Sequence, residues 1–202
     1  MNKIGVMGGT FDPIHYGHLV AAETARAEFN LSKVLFIPTG APPHKKRQDI
    51  LPGELRLEMV GCAIQDNPAF ASSALEIERE GPSYTVDTLR ELRKLWPDYE
   101  LYFITGTDAL REIFSWHEAE EIFTMIQLIG AARPGFDAKD FLLKAHEDHP
   151  ELLGKIHYLE IPALAISSTD IRARVKRGEP IRYLLPERVR QLIRQRGLYA
   201  DK

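Results

Sequence analysis

The sequence predicts a doubly wound α/β domain built on a parallel β-sheet, and three observations support this. Short apolar runs typical of strands alternate with longer helical patterns, as in βαβ units. The chain has 202 residues, enough for one domain with a sizeable core. It contains no internal repeat and no low-complexity linker. We therefore expect a single domain over residues 1–202, in which residues 165–202 form a C-terminal turn with helices packed on it.

The predicted elements follow in order along the chain. The apolar residues Ile4, Val6 and Met7 predict the first strand, and an amphipathic run from Leu19 predicts the first helix. The predicted strands are 3–7, 33–38, 70–73 with 75–77, 100–105, 125–131 and 155–159. The predicted helices are 17–29, 53–65, 85–96, an irregular stretch over 108–122, 138–149, and a last helix opened by Pro186. This alternation is typical of a Rossmann-like sheet.

Composition excludes several classes of protein. The net charge of −3 provides no overall basic field to attract nucleic acid or anionic lipid. No apolar run is long enough to span a bilayer, and the first residues do not resemble a secretory signal. A single cysteine, Cys62, excludes an intrachain disulfide framework. We expect a cytoplasmic protein that binds neither nucleic acid nor membranes; a homo-oligomer stays open.

The segment 8–19 (GGTFDPIHYGHL) carries the strongest functional signal. Gly8 and Gly9 let the backbone turn and come close to a ligand. A strand, a glycine turn and a helix start form an anion site, because free backbone N–H groups and the helix dipole point at a bound phosphate. His15 and His18 add donors that can follow a phosphate whose charge changes during a reaction. The segment therefore predicts a phosphate site.

Other interpretations of this segment fit less well. The glycines are not spaced as G-x-G-x-x-G, and no Walker A sequence occurs, so neither nucleotide fingerprint is indicated. Zinc ligation by the two histidines would need a further Cys/His pair at metal-site spacing, which the sequence lacks. A capping or core role would explain one histidine but not the whole segment. We therefore expect no tightly bound protein metal site.

A second segment, 166–172 (ISSTDIR), follows the last predicted strand. Ser167 or Ser168 can serve as the N-cap of a short helix, whose first N–H groups then stay available beside the hydroxyls. Arg172 stands one turn into that helix and can reach a phosphate over the same end. A capped surface helix with an exposed arginine is the competing interpretation.

Short polar or glycine-rich turns follow four of the predicted strands. They are the glycine–histidine segment and residues 39–40, 106–108 and 166–168. In an open parallel sheet, ligands bind at the carboxyl ends of the strands. We therefore expect the four turns to line one crevice.

The two segments together resemble the bacterial nicotinate-mononucleotide adenylyltransferases. The HxGH element of the first segment is shared with the wider nucleotidyltransferase superfamily, so it indicates nucleotidyl transfer but not the acceptor. Longer motifs look like the narrower family and occur in its order: 42–45 (PPHK), 83–89 (SYTVDTL), 115–117 (SWH), 133–135 (RPG) and 181–186 (IRYLLP). A threonine at 107 departs locally from the expected small residue, and residues 136–150 match nothing in the pattern.

The resemblance implies a role for each matching residue. The catalytic contacts to the ATP phosphates would come from His15, His18 and Arg172. ATP would be bound by Gly8, Gly9, Thr10, Phe11, Gly106, Asp108, Ser168 and Thr169, with Gly106 and Asp108 at the ribose. The mononucleotide side would be formed by Lys45, Tyr84, Thr85, Trp116, His117 and Arg133, with Trp116 stacked on the pyridine ring. Mg²⁺ would arrive with ATP.

Several of these residues have structural explanations as well. Lys45 belongs to a basic run that could be solvated, although residues 39–52 form a long connection of the kind that serves as a lid. Asp108 could cap the next helix, and Trp116 could be part of the core. Four arginines in the last helix could suggest RNA binding, but no aromatic stacking set accompanies them.

The resemblance implies adenylyl transfer from ATP to nicotinate mononucleotide, giving nicotinate adenine dinucleotide and pyrophosphate in NAD biosynthesis. The attacking 5′-phosphate is already anionic, so no general base is needed and catalysis consists of positioning and charge stabilisation. Two alternatives stay open. The acceptor could be nicotinamide mononucleotide or another acceptor of the superfamily, or the chain could be a non-catalytic nucleotide-binding regulator.

Overall fold

The computed structural model describes residues 2–41, 50–132 and 149–200. Six strands are present in this part of the chain: β1 (Asn2–Gly9), β2 (Lys33–Pro38), β3 (Phe70–Ser72), β4 (Tyr99–Gly106), β5 (Ile126–Ala132) and β6 (Ile156–Glu160). The α-helices are α1 (Tyr16–Glu28), α2 (Gly53–Ile64), α3 (Leu75–Glu78), α4 (Thr85–Leu95), α5 (Thr107–Glu112), α6 (Ala119–Met125), α7 (Ser168–Lys176) and α8 (Glu187–Gln195). The helix expected over 138–149 lies outside the described residues, except for His149.

The strands form one six-stranded sheet in the order β3-β2-β1-β4-β5-β6. β1 pairs in parallel with β4, with Val6 opposite Phe103, and β4 and β6 both pair in parallel with β5. From the central pair of β1 and β4, the sheet continues through β2 and β3 on one side and through β5 and β6 on the other. This is the arrangement of a doubly wound fold. The predicted fold class is confirmed. Every predicted strand is present within one or two residues of its bounds, apart from the extension over 75–77.

Contacts group the chain into two compact units, of which the first comprises Met1–Gly8, Ala21–Val34 and Tyr84–Ala163. Its core lies along β4, where the four consecutive residues from Leu101 to Ile104 are buried. A continuous apolar run of this kind is typical of a parallel strand covered on both faces. Gly5 in β1 allows close packing here, because a Cβ atom would lie 2.9 Å from Leu31 and 3.1 Å from Ile104.

The second unit comprises Gly9–Val20, Leu35–Ser83 and Leu164–Lys202. Its core contains the aromatic rings of Phe11, Phe36 and Phe70, with Phe36 in contact with both of the others. Helix α8 packs on α2, and the buried residues of α8 (Val189, Leu192 and Ile193) recur at helical spacing. The C-terminal helices expected from residue 165 belong to this unit. The extent of a single domain over 1–202 stays a prediction.

The prediction of a strand over residues 75–77 is wrong. Leu75–Glu78 is a short helix, because Ala74 O accepts backbone bonds from Ile77 and Glu78 while Ser73 Oγ accepts one from the N–H of Leu75. The residues alternate apolar and acidic, a pattern that favours a strand, yet Glu76 is buried. The local hydrogen bonds of Ser73 and of the helical turn therefore outweighed the strand preference of the alternating apolar and acidic residues.

The irregular helical stretch expected over 108–122 is indeed interrupted. A 3₁₀ turn at Ile113–Ser115 separates α5 from α6, and Glu118 adopts a left-handed backbone with φ of 52°. No helix among the described residues is long and apolar enough to cross a membrane.

Candidate functional site

The loop from Gly9 to His15 connects β1 to α1, and three side chains, two arginines and a serine, hold its backbone in place. Arg56 Nη1 donates to Thr10 O at 2.8 Å. Arg172 Nη1 donates to Asp12 O at 2.7 Å, and Ser168 Oγ donates to Pro13 O at 2.8 Å. All of these residues belong to the second unit. The two segments that the sequence singled out, 8–19 and 166–172, are thus bonded directly to each other.

His15 and His18 lie against each other at the start of α1. Their rings stack with centroids 3.8 Å apart and an interplanar angle of 25°. The backbone N–H of His15 donates to His18 Nδ1 at 3.2 Å, and the edge of Phe11 meets the His18 ring at 5.1 Å. His15 is buried and His18 is half-buried. Contacts with Phe11 and with each other therefore hold the two histidines in place.

This arrangement selects one form of the His18 ring. Burial, and then the nearby His15, lower the pKa of His18 well below its ordinary value, so the ring is neutral at pH 7. Because Nδ1 accepts the His15 N–H, the proton of the neutral ring resides on Nε2. His18 is therefore a neutral Nε2–H donor, the state suited to a hydrogen bond with a phosphate oxygen.

The lowered pKa predicts a pH dependence of stability. Above about pH 6.5 His18 is neutral in both folded and unfolded chains and contributes nothing. Below it the unfolded chain binds the proton more readily, because the pKa of His18 is lowered only in the folded state. The free energy of unfolding should therefore fall as pH drops from about 6.5 towards the folded pKa. Urea unfolding of the protein and of His18→Gln between pH 5 and 7.5 measures this; equal slopes for both would contradict it.

The start of α7 lies beside this loop in the same unit. Ser167 is the N-cap, its Oγ accepting from the Asp170 N–H at 3.1 Å, which decides between the two serines considered from the sequence. Ser168 is instead the first helical residue and bonds to the loop. Arg172 also donates to the Thr169 hydroxyl at 3.4 Å. A hydroxyl, a guanidinium and the first turn of a nine-residue helix thus lie together.

Three residues of this site were missed at the level of sequence. Arg56 is 1% exposed and donates to the carbonyls of Leu51, Thr10, Thr39 and Gly40. Burial lowers the pKa of Arg56, an effect that Asp12 opposes. Asp12 is 3% exposed and accepts a hydrogen bond from Tyr199 at 2.7 Å. Asp12 lies inside the glycine–histidine segment, so the sequence could have identified it as part of the site. No sequence pattern distinguished Arg56 or Tyr199.

A second group of predicted residues lies in the first unit. The Tyr84 and His117 rings are 4.4 Å apart, and the edge of Trp116 meets Phe103 at 5.9 Å with an interplanar angle of 89°. Trp116 is half-buried, so it is not part of the fully buried core. A Cβ atom on Gly8 would lie 3.5 Å from the Phe103 ring. Tyr84, His117 and Trp116 are therefore aromatic side chains of the first unit that are not fully buried.

A group of charged side chains connects α4 to the turn that carries His117. Arg90 of α4 pairs with Asp87 at 2.9 Å and also with Glu118 and Glu121. Glu118 in turn accepts from His117 Nε2 at 3.0 Å. The three carboxylates raise the pKa of Arg90, and Arg90 lowers that of Glu121. The turn that carries His117 is therefore tied to α4.

The structure does not describe all of the predicted site residues. Lys45 and Arg133 lie outside the described residues, as does most of the expected lid over 39–52. Gly106 precedes α5 and Asp108 lies in its first turn, but the side chain of Asp108 is not described. Residues 106–108 belong to the first unit, whereas the other three turns belong to the second, so the single crevice stays a prediction.

Comparison with known proteins identifies the family. A cytidylyltransferase-like family model matches residues 6–174. A Desulfitobacterium hafniense protein named "Probable nicotinate-nucleotide adenylyltransferase" is 60% identical, over 98% of this chain and 95% of its own length. A protein of the same name from Moorella thermoacetica is 52% identical, over 99% of this chain and 93% of its own length. The chain belongs to the nicotinate-nucleotide adenylyltransferase family.

A solved structure of a family member supports the same fold. The Plasmodium falciparum nicotinic acid mononucleotide adenylyltransferase complexed with NaAD matches with a TM-score of 0.79, covering 98% of each chain at 22% identity. The resemblance of the sequence to this family is confirmed. In this chain His15 of the HxGH element ends the loop held by Arg56, Arg172 and Ser168, and His18 lies in the first turn of α1.

Proposed function

We propose that this chain transfers the adenylyl group of ATP to nicotinate mononucleotide, releasing pyrophosphate and forming nicotinate adenine dinucleotide for NAD biosynthesis. The observation that carries the proposal is the stacked pair of His15 and His18, in which His18 Nδ1 accepts the His15 N–H, next to a loop bonded to Arg172. Relatives with the corresponding name at 52–60% identity over nearly the whole chain support the choice of reaction.

The triphosphate would lie between the two segments of the second unit. His15 and His18 would contact the α-phosphate, Arg172 would neutralise the phosphates, and the hydroxyls of Ser168 and Thr169 would donate from the start of α7. The backbone of Gly8, Gly9, Thr10 and Phe11 would surround the nucleotide, and Gly106 with Asp108 would bind the ribose. Phosphate binding by helix starts, hydroxyls and arginine follows from their donors alone.

The reaction needs no group from the protein to remove a proton. An oxygen of the mononucleotide 5′-phosphate forms the new bond to the α-phosphorus, and the bond from that phosphorus to the bridging oxygen of pyrophosphate breaks. Negative charge accumulates on the equatorial oxygens and the leaving group. Neutral histidine N–H donors and the Arg172 guanidinium would stabilise this charge at the places where it grows.

Magnesium fits this scheme as part of the substrate. No group of three or more His, Cys, Asp or Glu side chains among the described residues could hold a metal ion. The loop has one carboxylate, Asp12, which is bonded to Tyr199; the histidines, Arg172 and the hydroxyls beside the loop suit anionic oxygens. We therefore propose that Mg²⁺ enters as its ATP complex, held by phosphate oxygens and water.

The acceptor would bind to the first unit. Trp116 would stack on the pyridine ring, with Tyr84, Thr85 and His117 around its carboxylate and with Lys45 and Arg133 contributing as the family resemblance implies. Thr85 begins α4, and Tyr84 at its N-cap makes no side-chain capping bond. The free N–H groups and the positive dipole end of that helix favour a carboxylate over a carboxamide. This supports nicotinate over nicotinamide mononucleotide.

Release of pyrophosphate tests the function. We expect ATP-dependent release with nicotinate mononucleotide and a lower kcat/KM with nicotinamide mononucleotide. A preference for the amide would overturn the acceptor, and binding of ATP without turnover on either compound would make the chain a nucleotide-binding regulator. A cytoplasmic location stays a prediction from the sequence, and formation of a homo-oligomer stays open.

Removal of the Trp116 ring tests the acceptor site. We expect Trp116→Ala to raise KM for nicotinate mononucleotide by about tenfold, since stacking of a planar base on an aromatic ring contributes about 1–3 kcal/mol. KM for ATP should change little. Trp116→Phe should retain part of the affinity, and Trp96→Ala is the matched control because Trp96 lies at the end of α4 beside Tyr99. Equal rises in both KM values would exclude a specific role in acceptor binding.

A further inference from the structure

The C-terminal segment contacts the loop that carries the two histidines. Tyr199 Oη donates to Asp12 Oδ1 at 2.7 Å, joining residues that are 187 positions apart. The same hydroxyl lies 3.9 Å from Met59 Sδ of α2. Asp12 is 3% exposed, so this bond replaces water that the carboxylate would otherwise bind. Tyr199 therefore satisfies a buried acceptor three residues before His15.

The backbone of Tyr199 is held in an uncommon conformation to make this contact. Its φ is 65°, in the left-handed region that costs a non-glycine residue about 1 kcal/mol or more. Leu198 beside it is buried in the second unit. Residues in such conformations persist where surrounding contacts determine them, and they are enriched at functional sites. Tyr199 therefore combines a left-handed backbone conformation with a hydrogen bond to a buried carboxylate.

Asp12 accepts one hydrogen bond at its backbone and another at its side chain. Arg172, proposed above to bind phosphate, donates to the Asp12 carbonyl, while Tyr199 donates to its carboxylate. Burial and the Asp12 charge both raise the pKa of Tyr199, so the phenol keeps its proton and acts as a donor. Backbone and side chain of one residue are therefore both fixed, and with them the start of the turn that leads to the histidines.

We propose that Tyr199 is a positioning residue: its hydroxyl bond to Asp12 sets the loop geometry that aligns His15 and His18 on the transferring phosphoryl group. The inference rests on the proposed function for the identity of the reaction. It adds a residue outside the two phosphate-binding segments, and it makes the C-terminal end of the chain part of the catalytic arrangement. Tyr199 itself touches no substrate.

Tyr199→Phe removes only the hydroxyl, and Tyr183→Phe is its matched control. Tyr183 has a similar left-handed φ of 68° but is 81% exposed. We expect Tyr199→Phe to lower kcat by about 10- to 100-fold, as small misplacements of catalytic groups do, with KM for nicotinate mononucleotide changed less than twofold. Tyr183→Phe should match the unchanged protein. A lower melting temperature with unchanged kcat, measured where Tyr199→Phe is fully folded, would overturn the proposal.

A double-mutant cycle tests the route through Asp12. In the Asp12→Ala background, Tyr199→Phe should have no further effect on kcat; an undiminished effect would overturn the assigned route.

The ¹⁵N signals of the His18 ring provide a readout that needs no turnover. Tyr199→Phe should shift the Nδ1 signal and move the titration of the ring towards its ordinary pKa, because the bond from His15 N–H loosens. Tyr183→Phe should not. Absence of turnover in the unchanged protein would refute the proposed function, whereas unchanged His18 signals in Tyr199→Phe would refute the positioning role.

Discussion

Replacement of His18 by alanine is expected to lower kcat for adenylyl transfer by about 10²–10³-fold, the loss typical of removing one preorganised donor to a developing negative charge. The ring is held before substrate arrives, because the His15 N–H binds Nδ1 and the His15 ring stacks on it. The lowered pKa keeps it neutral with its proton on Nε2. Steady-state pyrophosphate release measures the effect, and thermal unfolding checks that the variant is folded.

Two conservative variants separate the functions of the two ring nitrogens. His18→Gln retains an N–H near the Nε2 position and should lose less activity than His18→Ala. His18→Asn retains an acceptor near Nδ1 but no donor at Nε2, and should resemble His18→Ala in kcat. Near-normal turnover of folded His18→Ala would contradict the proposed role, and equal losses in all three variants would exclude Nε2 as the donor.

Replacement of Arg56 by methionine should destabilise the protein by about 3 kcal/mol or more. The guanidinium donates to Thr10 O at 2.8 Å, Thr39 O at 2.6 Å and Leu51 O at 2.9 Å, in a site where Arg56 is 1% exposed. Each buried carbonyl left without a donor costs about 1–3 kcal/mol. For a chain of this size that corresponds to a fall in melting temperature of roughly 6–12 °C.

The control for this prediction lies on α8. Arg188 is exposed and donates to Gln65 at 2.9 Å, so Arg188→Met should change stability by no more than about 0.5 kcal/mol. Arg56→Lys keeps the charge but not the forked donors and should fall between the two. A melting temperature unchanged in Arg56→Met would show that the carbonyls find other partners.

Much of the fold follows from local patterns. Strand β2 matches its predicted bounds, and α2 and α4 begin at the predicted residues, Gly53 and Thr85. Ser167 caps α7 as the short polar segment indicated. These features depend on hydrophobic periodicity and on residues that favour helix ends, both of which are local in sequence. The strand assigned to 75–77 is wrong because a four-residue helix is too short to express a period.

Part of the candidate site was also predictable from the sequence, and part was not. His15, His18, Ser168 and Arg172 were selected from the sequence, and the structure places them in one compact unit with direct bonds between the two segments. Arg56 was not selected, because an arginine between Leu55 and Leu57 is ordinary on a helix whose buried face is unknown. Only the hydrogen bonds from its guanidinium to four backbone carbonyls identify its function.

The sequence by itself determined the family, the order of strands and helices in the described residues apart from 75–77, and the two segments proposed to bind phosphate. Their signals lie within a dozen residues and arise from side-chain period, glycine turns and capping groups. Only the tertiary structure decided that Arg56 is buried, that Nδ1 of His18 is an acceptor, and that Tyr199 reaches Asp12 from the far end of the chain. These depend on burial and on pairs of groups distant in sequence, since a hydrogen-bond partner 187 residues away leaves no local pattern.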